Sequence, residues 1–548
     1  MTQSEFRTPF GERIFRQKYA QGPGDTWKQL AERLVEDVCG TRWGTLPALM
    51  SLSDRKDLVE LITKFKFIPG GRYLYYAGRP FKAYNNCYLL RAEADTREEW
   101  SNLTWRAMSC LMTGGGIGAD YSRLRAKGKA LSRTGGTASG PIPLMSAINE
   151  IGRNVMQGGS RRSAIYASLN HAHEDVQEFL TVKDWSSAVR QLKEADFNFP
   201  GPLDMTNISV NYDENAFVNG SLADNHIFRQ NCLQALKTGE PGFSFNFYDK
   251  INETLRNACT EVTSEDDSDV CNLGSINMGN IPNLEEFKIT VSLGTKFLVC
   301  GTLRADLPYE KVYKVREKNR RLGLGLMGIH EWLLQRGKEY KVDAEFHQWL
   351  ALYKSESERA ALDHCNRFYL SPPVACRAIA PTGSIGILAG TTTGIEPLFA
   401  VAYKRRFLTE GTKWRYQYVV DGAAQGLIDQ YSIDPDKIET ALSLSDNFEK
   451  RIAFQADIQD YVDMSISSTI NLPSWGSKGN NEDRVDDFTK TLAKYATRLR
   501  GFTCYPDGSR GGQPLTAVSY KEAISHKDTV YDEIVDVCDL TGSGTCGV

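Results

Sequence analysis

The sequence lacks the features that mark membrane, secreted and zinc-binding proteins. It has no apolar run of about 18 residues, so it predicts no membrane-spanning helix. Its first residues, MTQSEFRTPFGERIF, are polar and lack the apolar core of a signal peptide. No two cysteines have the C-x-x-C spacing that is usual in structural zinc sites. The 12 cysteines are spread irregularly, which leads us to expect a reducing cytoplasm.

The chain also lacks a strong excess of charge of either sign. A net charge of -3 over 548 residues gives no reason to expect binding to nucleic acid or to a membrane surface. The hydrophobic content of 41% is ordinary for a globular protein. One large catalytic domain with small appendages is therefore the expected organisation.

One short segment combines three chemical groups at close spacing, Asn257-Ala258-Cys259-Thr260-Glu261. In an extended chain, residues two apart point to the same face, so the amide, thiol and carboxylate are expected to converge on one ligand. A carboxylate can serve as a general base, and an amide can orient hydroxyl groups. Most cysteines are buried and inert, so this segment needs support from the rest of the chain.

Two further cysteines stand in distinctive surroundings. Cys87 follows Asn86 in GGRYLYYAGRPFKAYNNCYLL, and Cys271 opens CNLGSIN, 12 residues after Cys259. Two thiols can close to a disulfide only when their Cβ atoms are about 4 Å apart. Because Cys87 and Cys271 are distant in sequence, only the fold could pair them.

Taken in this order, the segments resemble those of ribonucleotide reductase catalytic subunits, and the adenosylcobalamin-dependent class most. The resemblance implies reduction of ribonucleotides to 2′-deoxyribonucleotides by radical chemistry, with adenosylcobalamin as cofactor. It implies that Cys259 carries the thiyl radical and that Asn257 and Glu261 act on the ribose. It further implies that Cys87 and Cys271 together deliver two electrons.

The fold that the resemblance implies is a ten-stranded α/β barrel of two parallel five-stranded half-barrels, with the radical cysteine on a central finger loop. The residues themselves predict only an α/β domain with mainly parallel strands. Runs such as AIYASL, NISVNY, GFSFNFY and KFLVC are typical of strands. Amphipathic helices are predicted between them, one starting near Pro141 and stopping at Gly158.

Three regions are expected along the chain. Residues 1–66 are predicted to be helical and to contain no ATP-cone domain, with Asp25 or Thr26 as the cap of one helix and Gly40 as its end. Residues 67–520 are expected to form the barrel. Residues 521–548 are expected to form a flexible tail, because Gly and Ser separate its two cysteines.

Two glycine-rich segments are candidates for binding the substrate. GGGIG contains Gly115 and Gly116, which resemble the substrate contacts of the family. PTGSIG follows an apolar run and could hold a diphosphate with its N–H groups and hydroxyls, although it lacks the lysine of a Walker loop. The resemblance implies phosphate binding by four residues of this segment, namely Pro381, Thr382, Gly383 and Ser384.

The segment RLGLGLMG contains the pattern G-x-G-x-x-G, which by itself suggests a dinucleotide site. Such a site requires a preceding apolar strand, whereas the charged run KVREKNRR precedes this segment. We therefore expect no dinucleotide site here. The segment resembles a helix of the family in which small residues permit close packing.

Allosteric control is implied by resemblance to the two specificity loops of the family, which bind a deoxynucleoside triphosphate or ATP. Asp95 and Arg125 are candidates in the first loop region. Gln157, Arg161 and Arg162 lie in QGGSRRSA, which resembles the second loop. Glycine permits backbone movement there, and arginine can bind phosphates or bases through its planar donors.

The end of the chain, VDVCDLTGSGTCGV, carries Cys538 and Cys546. In the family, a C-terminal cysteine pair reduces the buried disulfide by thiol exchange, and a thioredoxin or glutaredoxin-like protein then reduces the pair. The resemblance thus implies a redox tail and an external protein reductant.

The source of the radical has to be argued separately, because all classes share the barrel. The class that depends on a metal-containing subunit relays the radical through two adjacent tyrosines, whereas GFTCYPDGSR has Cys504-Tyr505 at that place. GFTCYPDGSR and SISSTINLPS resemble the adenosylcobalamin class instead. The alternatives are a large subunit that needs a metal-containing partner, or a non-enzymatic nucleotide-binding regulator. The sequence is compatible with diphosphate or triphosphate substrates, and with a monomer or a homodimer.

Overall fold

The structure is a computed structural model that describes residues 5–41, 47–155, 163–196, 199–409, 413–509, 515–526 and 529–532. The helices are α1 (Pro9–Lys18), α2 (Trp27–Cys39), α3 (Leu52–Thr63), α4 (Gly71–Tyr76), α5 (Arg97–Met112), α6 (Ile142–Asn154), α7 (Val176–Thr181), α8 (Ser187–Ala195), α9 (His226–Thr238), α10 (Leu284–Arg304), α11 (Glu310–Asn319), α12 (Ile329–Gln335), α13 (Ala344–Arg367), α14 (Gly383–Ala389), α15 (Gly422–Tyr431), α16 (Phe448–Gln459), α17 (Val485–Tyr495) and α18 (Tyr520–Ser525). The strands are β1 (Phe67–Pro69), β2 (Cys87–Arg91), β3 (Gly116–Asp120), β4 (Ile165–Asn170), β5 (Thr206–Tyr212), β6 (Gly242–Phe245), β7 (Leu255–Arg256), β8 (Thr263–Ser264), β9 (Asp269–Asn277), β10 (Leu322–Met327), β11 (Ala402–Thr409), β12 (Lys413–Val420), β13 (Thr469–Leu472), β14 (Gly501–Pro506), β15 (Leu515–Ala517) and β16 (Val530–Asp532).

Ten strands form one large sheet in the order β1-β9-β2-β3-β4-β5-β6-β14-β13, with β10 paired to β9. The strands β2 to β6 run parallel to one another in chain order. Helices α5 to α9 lie in the connections between them, as the crossovers of parallel strands require. The prediction of an α/β fold with mainly parallel strands is confirmed.

A second parallel group flanks the first and runs in the opposite direction. β9 is antiparallel to β2 and parallel to β10, and β14 is antiparallel to β6 and parallel to β13. Two isolated parallel bridges lie between β10 and β13, Leu324 with Arg377 and Ile379 with Ile466. A smaller sheet of β15, β11, β12 and β16 and the two-stranded hairpin of β7 and β8 complete the strands.

Local signals set several helix boundaries. Thr26 caps α2 by accepting from the Gln29 N–H, while the Gln29 side chain accepts from the Thr26 N–H, and the helix ends at Gly40 as predicted. α6 lies where a helix after Pro141 was predicted, although it ends at Asn154. The predicted stop at Gly158 lies outside the described residues.

Two interpretations of apolar segments are wrong. KFLVC is not a strand but the buried end of α10, a 21-residue helix whose residues Phe297 to Cys300 are all buried. A helix buried on several sides shows a continuous apolar run, which resembles a buried strand. Most of RLGLGLMG forms the buried strand β10 rather than a helix. Gly323 and Gly325 of its G-x-G-x-x-G pattern therefore lie inside the strand, whereas Gly328 follows the strand and caps α12 with a left-handed φ of 70°.

The described parts of the chain contain neither a candidate membrane span nor a candidate metal cluster. None of the helices there is both long and apolar enough to cross a membrane. No group of three or more histidine, cysteine, aspartate or glutamate side chains in the same residues is arranged to hold a metal ion.

Candidate active site

The two cysteines expected to exchange electrons lie on neighbouring strands. β2 pairs antiparallel with β9, and Cys87 stands directly opposite Cys271 in this ladder. Opposite residues in an antiparallel pair have Cα atoms about 4.5–5.5 Å apart, and disulfides span Cα separations of about 4.4–6.8 Å. The backbone register therefore suits a bond between them. The Cys87 thiol is buried and borders a cavity.

Cys259 lies in the turn of the hairpin formed by β7 and β8. The following residue, Thr260, has a left-handed φ of 69°, and its N–H donates to Asn257 O at 3.0 Å. Asn257 Oδ1 accepts from the Val262 N–H at 3.0 Å, so this amide closes the turn. The segment is thus a tight turn, and the expectation of an extended chain is wrong. Cys259 and Glu261 nevertheless border the same cavity.

This catalytic cavity, of about 150 Å³, brings together most of the predicted catalytic and substrate residues. Those on its wall are Asn86, Cys87, Gly116, Cys259, Glu261, Pro381, Thr382, Gly383 and Ser384. Asn257 is fully buried in the turn behind the wall. Gly115 faces the Tyr88 ring, which would lie 2.5 Å from an added Cβ. The cavity therefore joins a thiol, a carboxyl group and a loop suited to phosphate.

Glu261 is a buried carboxyl group on the wall of this cavity. Burial raises the pKa of Glu261 to about 7, and its own N–H and the nearby Asn257 amide offset only part of this effect. Its Oε2 atom has no hydrogen-bond partner among the described residues. A carboxyl group that is half ionised near neutral pH can take a proton from a bound hydroxyl and return it.

Buried ion pairs hold the base of the hairpin. Glu253 accepts from Arg500 Nη2 at 3.0 Å and from Arg321 Nη1 at 3.3 Å. Burial alone would raise the pKa of Glu253, but the charges of Arg500 and Arg321 outweigh it and hold the pKa at about 2. Gly118 of β3 packs so closely that an added Cβ would lie 1.9 Å from Arg256 O. The hairpin is therefore fixed from several strands.

The candidate phosphate loop, residues 381–384, leads into α14. Thr382 has a left-handed φ of 52°, and its Oγ1 accepts from the Gly394 N–H at 2.8 Å. This bond fixes the loop and leaves the hydroxyl proton of Thr382 to be donated. Ser384 is half-buried and Gly383 is exposed. The loop can therefore offer N–H groups and hydroxyls to a phosphate, but no charge.

Two of the predicted effector residues lie together, away from the catalytic cavity. Arg125 and Asp95 form an ion pair of 2.5 Å, with both side chains half-buried. They border a separate surface cavity of about 720 Å³, together with Lys129 and His173. Among the described residues, none borders both cavities. The lining of the second cavity includes the cations Arg125 and Lys129, which suit an anionic ligand, beside two carboxylates.

Other predicted residues cannot be located. Gln157, Arg161 and Arg162 of the second specificity loop lie outside the described residues, and so do Cys538 and Cys546 of the tail. For Cys271 the structure gives the strand register discussed above.

The segment that distinguishes the reductase classes lies beside the hairpin. An added Cβ on Gly501, the first residue of β14, would lie 4.0 Å from Thr260 Oγ1. Further along β14, Cys504 is buried, and its Sγ lies 3.4 Å from Ala235 O. The strand that resembles the adenosylcobalamin class therefore starts at the turn that carries Cys259.

Several residues of the cavity wall were not identified from the sequence. They are Tyr19, Gly70, Gly71, Arg72 and Ser275. Tyr19 gives no signal in the sequence, because it belongs to the helical N-terminal region. Three of the others stand in PGGRYLYY, close before Cys87, so the nearby motif was the one available hint.

Comparison with known proteins establishes the family. Residues 85–199, 204–349 and 375–505 match the family model described as ribonucleotide reductase, barrel domain. The match covers more than half of the chain, so the chain belongs to this family.

Curated relatives share modest identity with the chain over most of its length. The vitamin B12-dependent ribonucleoside-diphosphate reductase of Mycobacterium tuberculosis (strain CDC 1551 / Oshkosh) is 26% identical over 540 residues, covering 86% of this chain and 74% of the relative. The putative adenosylcobalamin-dependent ribonucleoside-triphosphate reductase of Mycobacterium phage D29 is 24% identical over 723 residues, covering 98% and 99%. A crystal structure described as a B-12 dependent (class II) ribonucleotide reductase superposes with a TM-score of 0.72 at 16% identity, covering 96% of this chain and 95% of that one. The superposition shows the fold alone.

Proposed function

We propose that this protein reduces ribonucleotides to 2′-deoxyribonucleotides and uses adenosylcobalamin as its source of radicals. The observation that carries the proposal is the single cavity bordered by Cys87, Cys259 and Glu261, with Cys271 opposite Cys87 in the strand ladder. Membership of the reductase family and two relatives named for their cobalamin dependence support it.

Each catalytic side chain has a defined task in this reaction. A radical on Cys259 takes the 3′-hydrogen of the ribose, and Glu261 accepts the 3′-hydroxyl proton as the ketyl radical develops. The 2′-hydroxyl group can then leave as water. Cys87 and Cys271 supply two electrons and two protons as they close to a disulfide, and Cys259 finally returns the hydrogen to the 3′-carbon. Asn257 holds the turn and thereby the position of Cys259.

The surroundings of Cys259 fit the proposed cofactor. Cys259 and Thr260 are half-buried, whereas Ala258 and Glu261 on either side of them are buried, so the thiol lies on the more accessible part of the turn. Thr260 and the start of β14 at Gly501 would form the wall beside the bound cofactor. Adenosylcobalamin would supply the homolysis that generates the radical.

The rival proposals have less support. A large subunit dependent on a metal-containing partner would need two adjacent tyrosines, whereas buried Cys504 precedes Tyr505. The alpha subunit of the ribonucleoside-diphosphate reductase of Chlamydia muridarum matches 52% of this chain and 32% of its own length. A non-enzymatic regulator would be expected to have lost catalytic residues, yet Cys87, Cys259 and Glu261 share one cavity.

The direct test is an assay of the purified protein with a ribonucleotide, dithiothreitol and adenosylcobalamin. We expect deoxynucleotide formation that requires the cofactor and no second protein. Supplying CDP and CTP in separate reactions would decide between diphosphate and triphosphate reduction. Activity that depends on a metal-containing partner and never on adenosylcobalamin would contradict the proposal.

We further propose that ten segments, which include all strands of the large sheet except β1, close into a barrel of two five-stranded half-barrels. Each half is parallel within itself, and the two halves run in opposite directions. The first half is the parallel group from β2 to β6. The second consists of β9, β10, the segment 375–379, the segment 465–472 and β14. Bridges from Leu324 to Arg377 and from Ile379 to Ile466 support closure between β10 and β13. Such a barrel would enclose the hairpin that carries Cys259.

We also propose that the surface cavity at Asp95 and Arg125 takes a deoxynucleoside triphosphate or ATP as specificity effector, together with the loop of Gln157, Arg161 and Arg162. The charged and polar lining of that cavity supports binding of an anion. We propose a reducing cytoplasm as the location of the protein, because its 12 cysteines are spread irregularly along the chain.

The division into a helical region of residues 1–66, a barrel of residues 67–520 and a tail of residues 521–548 remains our proposal. In the tail, Cys538 and Cys546 would reduce the disulfide of Cys87 and Cys271 by thiol exchange. A thioredoxin or glutaredoxin-like protein would then restore the tail.

Replacement of either tail cysteine is expected to affect turnover with thioredoxin and turnover with dithiothreitol differently. We expect Cys538→Ser or Cys546→Ser to abolish turnover driven by thioredoxin, because the exchange needs both thiols. Dithiothreitol should restore much of the rate, since a small dithiol can reach the disulfide directly. Deoxynucleotide formation measured with each reductant tests this, and wild-type rates with both reductants would rule out a tail shuttle.

A further inference from the structure

One cation borders the catalytic cavity in the described parts of the chain. The titratable side chains on the cavity wall are Tyr19, Arg72, Cys87, Cys259 and Glu261. Arg72 is the single basic residue among them. Tyr19 and Arg72 both precede residues 85–505, within which the family match lies.

A nucleotide substrate brings at least two negative charges into this cavity. The phosphate loop, residues 381–384, contains no charged side chain. Neutral N–H groups and hydroxyls can orient a phosphate, but hydrogen bonds from a charged donor are roughly twice as strong. The guanidinium group suits phosphate because it offers parallel N–H donors and stays charged. Arg72 is therefore the residue of this wall that can balance the substrate's charge.

The Arg72 head group is held in place before any ligand binds. Its Nε donates to Ala83 O at 3.1 Å, and its Nη2 donates to Thr113 O. The guanidinium carbon lies 4.9 Å from the centroid of the Tyr76 ring. Nη1 lies over Gly114, where an added Cβ would be 2.3 Å away. A side chain fixed in this way loses little entropy when it binds.

The segment of Arg72 connects with the phosphate loop through Tyr19. Tyr19 directly follows α1, and its hydroxyl would lie 3.0 Å from a Cβ added to Gly71. α1 packs on α14, which begins inside the phosphate loop. Tyr19, Gly71 and residues 381–384 all border the cavity.

We propose that Arg72 is a substrate-binding residue that contacts the phosphate groups of the ribonucleotide, with Tyr19 forming the adjoining wall. The inference rests on the proposed function for the nature of the substrate, but it concerns binding and not turnover. The competing explanation is that Arg72 only ties α4 to Thr113. The two explanations differ in how binding depends on the number of phosphates.

The test is equilibrium dialysis of cytidine, CMP, CDP and CTP against wild type and Arg72→Gln. We expect Arg72→Gln to weaken CDP and CTP binding about tenfold to a hundredfold, with CMP affected less and cytidine unchanged. Arg72→Lys keeps the charge but not the parallel donors, so it should weaken CDP and CTP binding less than Arg72→Gln does and leave cytidine binding unchanged. Arg79→Gln is the matched control, because Arg79 stacks on Tyr75 at 4.3 Å and does not border the cavity.

Equal weakening of cytidine and CDP, or unchanged CDP binding, would overturn the inference. Thermal unfolding of each variant identifies loss of fold, and if Arg72→Gln does not fold, the same series on Arg72→Lys decides. If the affinity of the wild type increases from cytidine to CTP but no deoxynucleotide forms, the reductase proposal alone is refuted. A wild type that turns over while Arg72→Gln loses no phosphate dependence would refute this inference alone.

Discussion

Replacing Cys259 with serine is expected to abolish deoxynucleotide formation completely. The O–H bond of serine is too strong for its oxygen to be converted to the radical that takes the ribose 3′-hydrogen. Cys259 is half-buried, so the smaller side chain should leave folding intact. The measurement is turnover with adenosylcobalamin and dithiothreitol, together with exchange of hydrogen between the cofactor and solvent. Both should vanish together, because both need the Cys259 thiol.

The matched control is Cys232→Ser, which removes a buried thiol on α9 that does not border the catalytic cavity. This variant should keep its turnover, provided that it stays folded at the assay temperature. Turnover of Cys259→Ser above the background of heat-inactivated enzyme would remove Cys259 from the central role. If turnover is lost but hydrogen exchange with the cofactor persists, Cys259 acts only after the radical has formed.

Glu261→Gln is expected to lower the turnover number by about a hundredfold to ten-thousandfold, the usual contribution of a positioned base. Glutamine keeps the shape and a hydrogen-bonding group, so nucleotide binding should change little. In the wild type, the base must be ionised, and its pKa is raised to about 7 by burial. Activity should therefore rise with pH through about 7, and this rise should be missing in the variant.

Burial of the Glu261 carboxyl group also affects the stability of the folded protein. Activity is expected to rise with pH, whereas stability is expected to fall. The folded state keeps the Glu261 proton up to about pH 7, whereas the unfolded chain releases it near 4.5. The stability contribution of Glu261 is therefore greatest below pH 4.5 and is lost as pH rises to about 7. Above pH 7, Glu261→Gln should be more stable than wild type by about 3 kcal/mol. This free energy corresponds to the rise of the Glu261 pKa from 4.5 to about 7 on folding.

Denaturant unfolding at pH 5 and pH 8 measures this difference. Glu265→Gln serves as the control, because Glu265 is an exposed carboxylate four residues away and should alter neither activity nor its pH dependence. A variant that binds nucleotide poorly but keeps its single-turnover rate would show that Glu261 has a structural role. Equal stability of Glu261→Gln and wild type at pH 8 would contradict the raised pKa.

Local chemistry could be predicted well from the sequence, because it depends on neighbouring residues. A cap at Asp25 or Thr26 and an end at Gly40 were predicted for α2, and the structure shows Thr26 as the cap and Gly40 at the end. The spacing of Cys259 and Glu261 was enough to predict that both face one ligand, but the roles proposed for them depend on the resemblance of several motifs to one family. KFLVC could not be assigned correctly, since a buried strand and a buried helix share the same apolar pattern.

The sequence by itself determined which reactive groups this protein has and that its fold is of the α/β type. Only the tertiary structure decided how those groups meet. The register of β2 against β9 sets Cys87 opposite Cys271, and the turn at left-handed Thr260 is closed by hydrogen bonds to Asn257. The packing of the N-terminal helices brings Arg72 to the cavity. These arrangements depend on contacts between segments far apart in the chain, and no local pattern of residues specifies such contacts.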